Sequence, residues 1–223
     1  MMSVFSSLLR PKKDVVIFTK EERKAIKEYK YVGGDQSPLY NYVLSPFAEF
    51  LQKLLPTWIA PNLITFSGLI FPLSAVVLSL VLNPTLGPDG PRLLSLFTGV
   101  GIFIYQTLDN MDGKHARATH QGSAHGMMFD HGCDAYQAGI SAFSMGSVLG
   151  IGWPGVLALS WCTFFPFYFM SWEQLHTGAM YLPVINGPSE GLVMASAMGI
   201  VSFFYGAEWW HVVTLKDLAP AVD

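Results

Sequence analysis

From position 63 to position 82 the chain runs through twenty residues without one charged side chain. In hydrocarbon every backbone N–H and C=O must be satisfied internally, so such a stretch has to be a helix. A bilayer core about 30 Å thick needs roughly 20 apolar helical residues. Four further apolar stretches follow, at about 93–108, 127–151, 156–170 and 191–205. Only 13% of the 223 residues are charged, against about 25% in an ordinary soluble domain. Mean hydropathy is +0.37. The expected fold is therefore all-α, a polytopic membrane helix bundle with about five transmembrane helices. Pro72 is expected to kink the first span. Pro84, Gly87, Pro88, Gly90 and Pro91 mark one turn and Trp153, Pro154 and Gly155 another.

The first sixty residues have another character. Thr19 followed by Glu22 at the head of a charged run is a capping-box pattern. Positions 46–55 (PFAEFLQKLL) alternate apolar and polar residues at helical spacing, which predicts an amphipathic helix lying in the membrane interface. Three regions follow: a cytosolic N-terminal segment at 1–61, a transmembrane core at 62–206 and a C-terminal tail at 207–223. Nine of the thirteen Lys and Arg lie before Asn62, which puts the N-terminus in the cytosol. Counting spans then puts the loop between the second and third spans in the cytosol, together with 172–190. The opening MMSVFSSLLRPKKD is too weakly apolar for a signal peptide. Cys133 and Cys162 suggest no disulfide framework. No basic stripe interleaved with aromatics points to nucleic acid.

The acids are the exception to this apolar character. Asp109 and Asp112 are i, i+3 at the end of the second span and share a helix face. Gly126, Asp130 and Asp134 are i, i+4, i+8 on the third and share another. If the two helices are antiparallel neighbours, four carboxylates converge at the cytosolic edge of the bilayer. Protonation or divalent cations would relieve their repulsion. An all-oxygen ligand set suits Mg²⁺ or Mn²⁺ rather than Zn²⁺. Four carboxylates suit two ions about 4 Å apart, an arrangement that clamps a pyrophosphate. Gly113 admits a ligand close to the backbone, Ala116 and Gly126 leave room, and Arg117 offers a planar fork for phosphate.

Asp109-x-x-Asp112-Gly113-x-x-Ala116-Arg117, then eight residues, then Gly126-x-x-x-Asp130-x-x-x-Asp134 resembles the full signature of the CDP-alcohol phosphotransferases. The flanking segments YKYVGGDQSPLYNYVLSPF, PTWIAPNLITFSG and WEQLHTGAMYLPVINGPSEG look like the eukaryotic choline/ethanolamine phosphotransferase branch. The resemblance implies transfer of phosphocholine or phosphoethanolamine from CDP-choline or CDP-ethanolamine to diacylglycerol, with release of CMP. It implies two Mg²⁺ or Mn²⁺ ions on Asp109, Asp112, Asp130 and Asp134. Gly113, Ala116 and Arg117 would then line the cytidine and phosphate side, and Asn62 would contact the CDP moiety. It also implies an integral membrane protein of the endoplasmic reticulum or Golgi with its active site in the cytosol, and a homodimer among its partners beside membrane lipids. Measured against that branch the chain is expected to be shortened at its C-terminus, since LKDLAPAVD does not read as a further span.

Two groups compete for the role of base. Asp134 loses basicity if it ligates a cation. His131, i−3 from Asp134, has the better-matched ordinary pKa near 6.5 and is preferred. Trp172, Glu173 and Tyr136 are candidates for the head-group cation, by aromatic or carboxylate contact. His115, His120 and His125 fit no zinc spacing and read as solvated loop residues. Alternative functions are a CDP-diacylglycerol-dependent phosphatidyltransferase, a truncated non-catalytic membrane protein, a partner of a full-length enzyme, and an ion or proton transporter. The transporter is disfavoured because the acids fall at the membrane edge.

Overall fold

The computed structural model describes residues 18–211, so the expectations for the extreme N-terminus and for most of the C-terminal tail fall outside the described residues. Helix α1 (Lys20–Glu28) begins on the expected capping box, with Thr19 and Glu22 bonding each other's backbone N–H. A short strand β1 (Gly33–Asp35) follows. A π-helical turn (Tyr40–Leu44) leads into α2 (Ser45–Gln52). Five long helices make up the rest: α3 (Pro61–Leu82), α4 (Arg92–Ala118), α5 (Ala124–Leu149), α6 (Gly152–Thr177) and α7 (Leu192–Tyr205). Strand β2 (Met180–Leu182) lies between α6 and α7 and pairs with β1 in parallel.

The helices depart from the expected boundaries where local chemistry explains it. α4 does not stop at 108 but continues to Ala118, so Lys114, His115 and Arg117 are helical rather than in a loop. The connection shrinks to Thr119–Ser123, where Ser123 caps α5 by accepting the Gly126 N–H at 3.0 Å. Trp153, Pro154 and Gly155 lie in the first turns of α6 rather than in a turn between helices. The break comes earlier, at Gly150, left-handed at φ +65°. The N-terminal turns of a helix tolerate proline because their N–H groups lack partners anyway. At its other end α6 runs to Thr177 and closes on left-handed Gly178, taking in part of the expected cytosolic stretch.

α3 packs against both α4 and α5, α7 against α4, α6 against α5, and α2 against α4. The interior is rich in small and polar side chains: Ser79, Thr98, Gln106, Ser144 and Ser202 are all buried. Large apolar side chains such as Val77 and Val81 on α3 and Trp161 and Phe169 on α6 point outward. Lipid supplies no hydrophobic driving force between helices, so close packing of small residues takes its place. α3 and α6 are long and apolar enough to cross a membrane. α4 and α7 meet backbone to backbone, where a Cβ on Gly199 would lie 2.6 Å from Gly99 Cα and 2.7 Å from Ser95 O.

A polar clasp ties the N-terminal segment to the β2–α7 connection. The Asp35 carboxylate accepts from Ser37 N–H at 2.7 Å, Asn186 Nδ2 at 2.9 Å and Ser189 Oγ at 2.6 Å. Ser37 Oγ donates to Glu190, whose other oxygen accepts from Asn186 N–H at 3.0 Å. Desolvation works against the Glu190 charge, but these bonds outweigh it and hold the carboxyl below its ordinary range. Gln106 of α4 completes the clasp by donating to the carbonyls of Pro188 and Ser189 at 2.6 and 2.9 Å.

Gly199→Leu is expected to lower unfolding stability by about 1–3 kcal/mol, because the atoms it strikes are backbone and cannot turn aside. Gly132→Ala, with nothing within 4 Å of the added methyl, should be neutral or stabilising by about 0.5–1 kcal/mol. Thermal unfolding in detergent measures both; equal midpoints would remove the α4–α7 crossing as a packing determinant.

Candidate active site

The predicted acids come together where α4 and α5 converge over the start of α3. Asp109, Asp112 and Asp130 offer carboxylate oxygens within 4.8 Å of one another. Helical periodicity explains their facing: Tyr105, Asp109 and Asp112 are i, i+4, i+7 on α4. α4 and α5 make few direct contacts compared with those each makes to α3, which holds them at the right separation. Gly68 sets the distance between α3 and α4. A Cβ there would lie 3.3 Å from Leu108 Cβ and 3.5 Å from Tyr105 Cδ2.

Two neighbours hold the acids that the sequence pattern alone leaves loose. Thr65 of α3 donates its hydroxyl to Asp112, which is only 5% exposed. Tyr105 donates its buried phenol to Asp134 Oδ1 at 2.6 Å. Both residues escaped the sequence reading. Tyr105 was signalled by its position one turn before Asp109, and Thr65 by lying i+3 from Asn62. Asp109 Oδ1 is buried without a hydrogen-bond partner among the described residues.

The arrangement fits a hard cation. Three unit charges with this spread repel by about 3 kcal/mol per pair at an effective dielectric near 20. Around an octahedral ion with bonds of about 2.1 Å, adjacent oxygens stand about 3.0 Å apart and opposite ones about 4.2 Å, so rotamer changes that close the spread by about one or two ångströms would bring these three oxygens onto one ion. The unpartnered Asp109 oxygen is a ready ligand. The cluster can therefore bind a metal, through oxygen ligands alone. Asp134 is held beside it by Tyr105 rather than within the same tight triad.

The remaining predicted residues divide. Asn62 is exposed at the head of α3, and its Oδ1 would lie 3.6 Å from a Cβ on Gly126, so the two flank one opening. Arg117 folds back so that Nη1 would be 3.5 Å from a Cβ on Gly113. Arg117 is exposed and Ala116 half-buried on the same helical turns. Lys114 is turned away from the acids, donating to Ser45 Oγ at 2.8 Å and lying 5.7 Å from the Tyr40 ring centroid. His131 is half-buried and meets Tyr31 edge-on, ring centroids 6.1 Å apart. Burial and then the Asp130 carboxylate raise the Tyr31 phenol above its ordinary range, so it stays neutral.

Other expectations are corrected or lack contacts. His115 is not a solvated loop residue; it is fully buried on α4 and its Nε2 donates to Ile59 O at 3.0 Å. The extension of α4 past 108 turned it inward. Glu173 is exposed near the end of α6, and its side chain makes no hydrogen bond or ion pair among the described residues. Trp172 is 52% exposed and packs between Tyr168 and His176 along an outward aromatic ridge. Tyr136 is 68% exposed on α5.

Residues 58–215 match the family described as CDP-alcohol phosphatidyltransferase. The chain is 40% identical over 190 residues to choline/ethanolaminephosphotransferase 1 of Arabidopsis thaliana, covering 83% of this chain and 48% of that protein. It is 36% identical over 204 residues to choline/ethanolaminephosphotransferase 1 of Saccharomyces cerevisiae, covering 89% and 52%. It is 35% identical over 187 residues to CDP-diacylglycerol--serine O-phosphatidyltransferase of Encephalitozoon cuniculi, covering 83% and 48%. The chain thus spans about half the length of these curated relatives.

Thr65→Val is expected to weaken Mn²⁺ binding about 10- to 100-fold, since a group that orients a ligand carboxylate is worth that much. Electron paramagnetic resonance titration of free Mn²⁺ reads this without any turnover. Unchanged affinity would mean that Asp112 does not need the Thr65 hydroxyl.

Proposed function

This chain belongs to the CDP-alcohol phosphatidyltransferase family, and we propose that it transfers phosphocholine or phosphoethanolamine from the CDP-alcohol to diacylglycerol. The observation that carries this reading is the convergence of Asp109, Asp112 and Asp130 on one small volume, flanked by Gly113, Arg117, Asn62 and Gly126. The names of the plant and yeast relatives supply the substrate class.

Asp109, Asp112, Asp130 and Asp134 would hold two Mg²⁺ or Mn²⁺ ions, whose charge neutralises the diphosphate and stabilises the departing phosphate oxygens. Thr65 and Tyr105 orient Asp112 and Asp134. Arg117 and the bare backbone at Gly113 receive the cytidine-side phosphate, and Asn62 beside Gly126 contacts the nucleotide. His131 accepts the proton of the diacylglycerol hydroxyl. That oxygen bonds to the phosphorus bearing the head group, the bond from this phosphorus to the bridging oxygen breaks, and CMP leaves with the bonding electrons. His131 is the better base because Asp134 is already committed to Tyr105 and to the cations.

The site opens to the cytosol in this reading, in a membrane of the endoplasmic reticulum or Golgi, with five spans and α2 lying in the interface. Parallel pairing of β1 with β2 supports it, since the N-terminal segment and the α6–α7 connection must then lie on one side. A homodimer belongs to the same reading. A second reading, a CDP-diacylglycerol-dependent phosphatidyltransferase, is kept by the serine-named relative.

Membranes expressing this chain in a host without its own enzymes are expected to make phosphatidylcholine or phosphatidylethanolamine from labelled CDP-alcohol, diacylglycerol and Mg²⁺ or Mn²⁺. Chelation should stop synthesis. Product only from CDP-diacylglycerol and a soluble alcohol would select the second reading, and product from neither would sink both. Asp112→Asn should cost at least about 100-fold in rate while the protein stays folded. Arg117→Lys should raise KM for the CDP-alcohol about 10-fold, since a point charge cannot reproduce a bidentate fork. Unaltered kinetics in either variant would remove that residue from the site.

A further inference from the structure

We infer that Tyr31, presented by the β1–β2 strand pair, is a positioning residue that fixes the orientation of the His131 imidazole at the mouth of the acid cluster. Four observations converge on this contact, which rests on the functional reading only for its kinetic consequence.

The first concerns His131 itself. The histidine rings that hydrogen-bond among the described residues are those of His115 and His211, not His131. Its aromatic neighbour among the described residues is Tyr31, edge-on at an interplanar angle of 87°. An imidazole without a hydrogen-bond anchor is free to turn about its terminal torsion, which is broad for histidine. A second ring packed against it at a right angle restricts that freedom, and a T-shaped pair is worth about 2- to 12-fold in the population of the held orientation.

The second and third concern what holds Tyr31. Val32 accepts the Met180 N–H at 3.0 Å, so the backbone beside Tyr31 is tied to the strand after α6. Gly33 then gives the ring its place. A Cβ on Gly33 would lie 2.5 Å from the Tyr31 hydroxyl and would also strike the Met180 carbonyl. Any side chain there must displace the ring or part the strands. The fourth is the clasp just beyond. Asp35 is bound by Asn186 and Ser189, and Gln106 joins Ser189 and its neighbour Pro188 to α4 one position from Tyr105. The strand pair is thus braced against the helix that carries the acids, although its two halves lie about 147 residues apart in sequence.

The contact uses the ring of Tyr31, not its hydroxyl. Phenylalanine should therefore replace it and leucine should not. Diethyl pyrocarbonate labelling of the full chain in membranes, read by mass spectrometry as the His131 rate relative to exposed His125, tests this without turnover. Tyr31→Leu is expected to change that ratio upward by about 2- to 12-fold. Gly33→Ala should do the same, and Tyr31→Phe should match the wild type. Where the wild-type chain turns over, Tyr31→Leu should lower kcat by a similar factor while KM for the CDP-alcohol stays unchanged.

An unaltered labelling ratio in Tyr31→Leu overturns the inference, as does a Tyr31→Phe variant that behaves like leucine. A wild-type chain without transferase activity would instead count against the functional reading and leave the labelling result to decide the contact. A rise in KM with constant kcat would make Tyr31 a substrate contact and overturn its positioning role.

Discussion

Carboxylates crowded at one end of an apolar helix bundle repel one another, and the rest of the structure opposes that repulsion. Asp109, Asp112 and Asp130 approach within 4.8 Å in a setting with little water to screen them. Their helices, α4 and α5, are held less by each other than by α3, which packs against both. α3 also supplies the Thr65 hydroxyl to Asp112 and, through Gly68, the close approach to Tyr105 and Leu108. The site is therefore a product of three helices, although its acids come from two.

The packing that brings those helices together follows from the solvent they occupy. Outward faces carry Val77, Val81, Trp161 and Phe169, while Ser79, Thr98, Ser144 and Ser202 lie inside. Close contact among small residues replaces the hydrophobic effect as the force between helices. The crossing of Gly99 and Gly199 is one example, since no side chain fits between the two backbones. Polar interior groups add direction: Ser202 donates to Val148 O at 2.8 Å and in turn accepts from Trp210 at 2.7 Å.

The clasp around Asp35 belongs to the same design at the other end of the chemistry. It joins a segment before the first long helix to the connection before the last, and Gln106 fixes that connection to α4. Because that braced segment carries Tyr31 to His131, the orientation of one site residue depends on contacts made far along the chain.

The sequence by itself determined which long helices form and which acids share a face. Apolar length, the Thr19–Glu22 cap and the i, i+3 and i, i+4 spacings are local, and helical geometry converts them into positions without outside help. The fold-back of Arg117 over Gly113, i to i+4 on one helix, was likewise within reach of short-range reasoning, whereas the approach of Asn62 to Gly126 was not. Tertiary structure alone decided that His115 is buried, that Trp172 sits on an outward ridge, that β1 meets β2, and that Tyr31 and Thr65 attend the acids. The physical reason is that these contacts carry no period. A parallel pair of three-residue strands far apart in the chain, or one hydroxyl turned toward a neighbouring helix, depends on how whole helices pack, and packing in lipid is settled by shape rather than by any pattern a single segment displays.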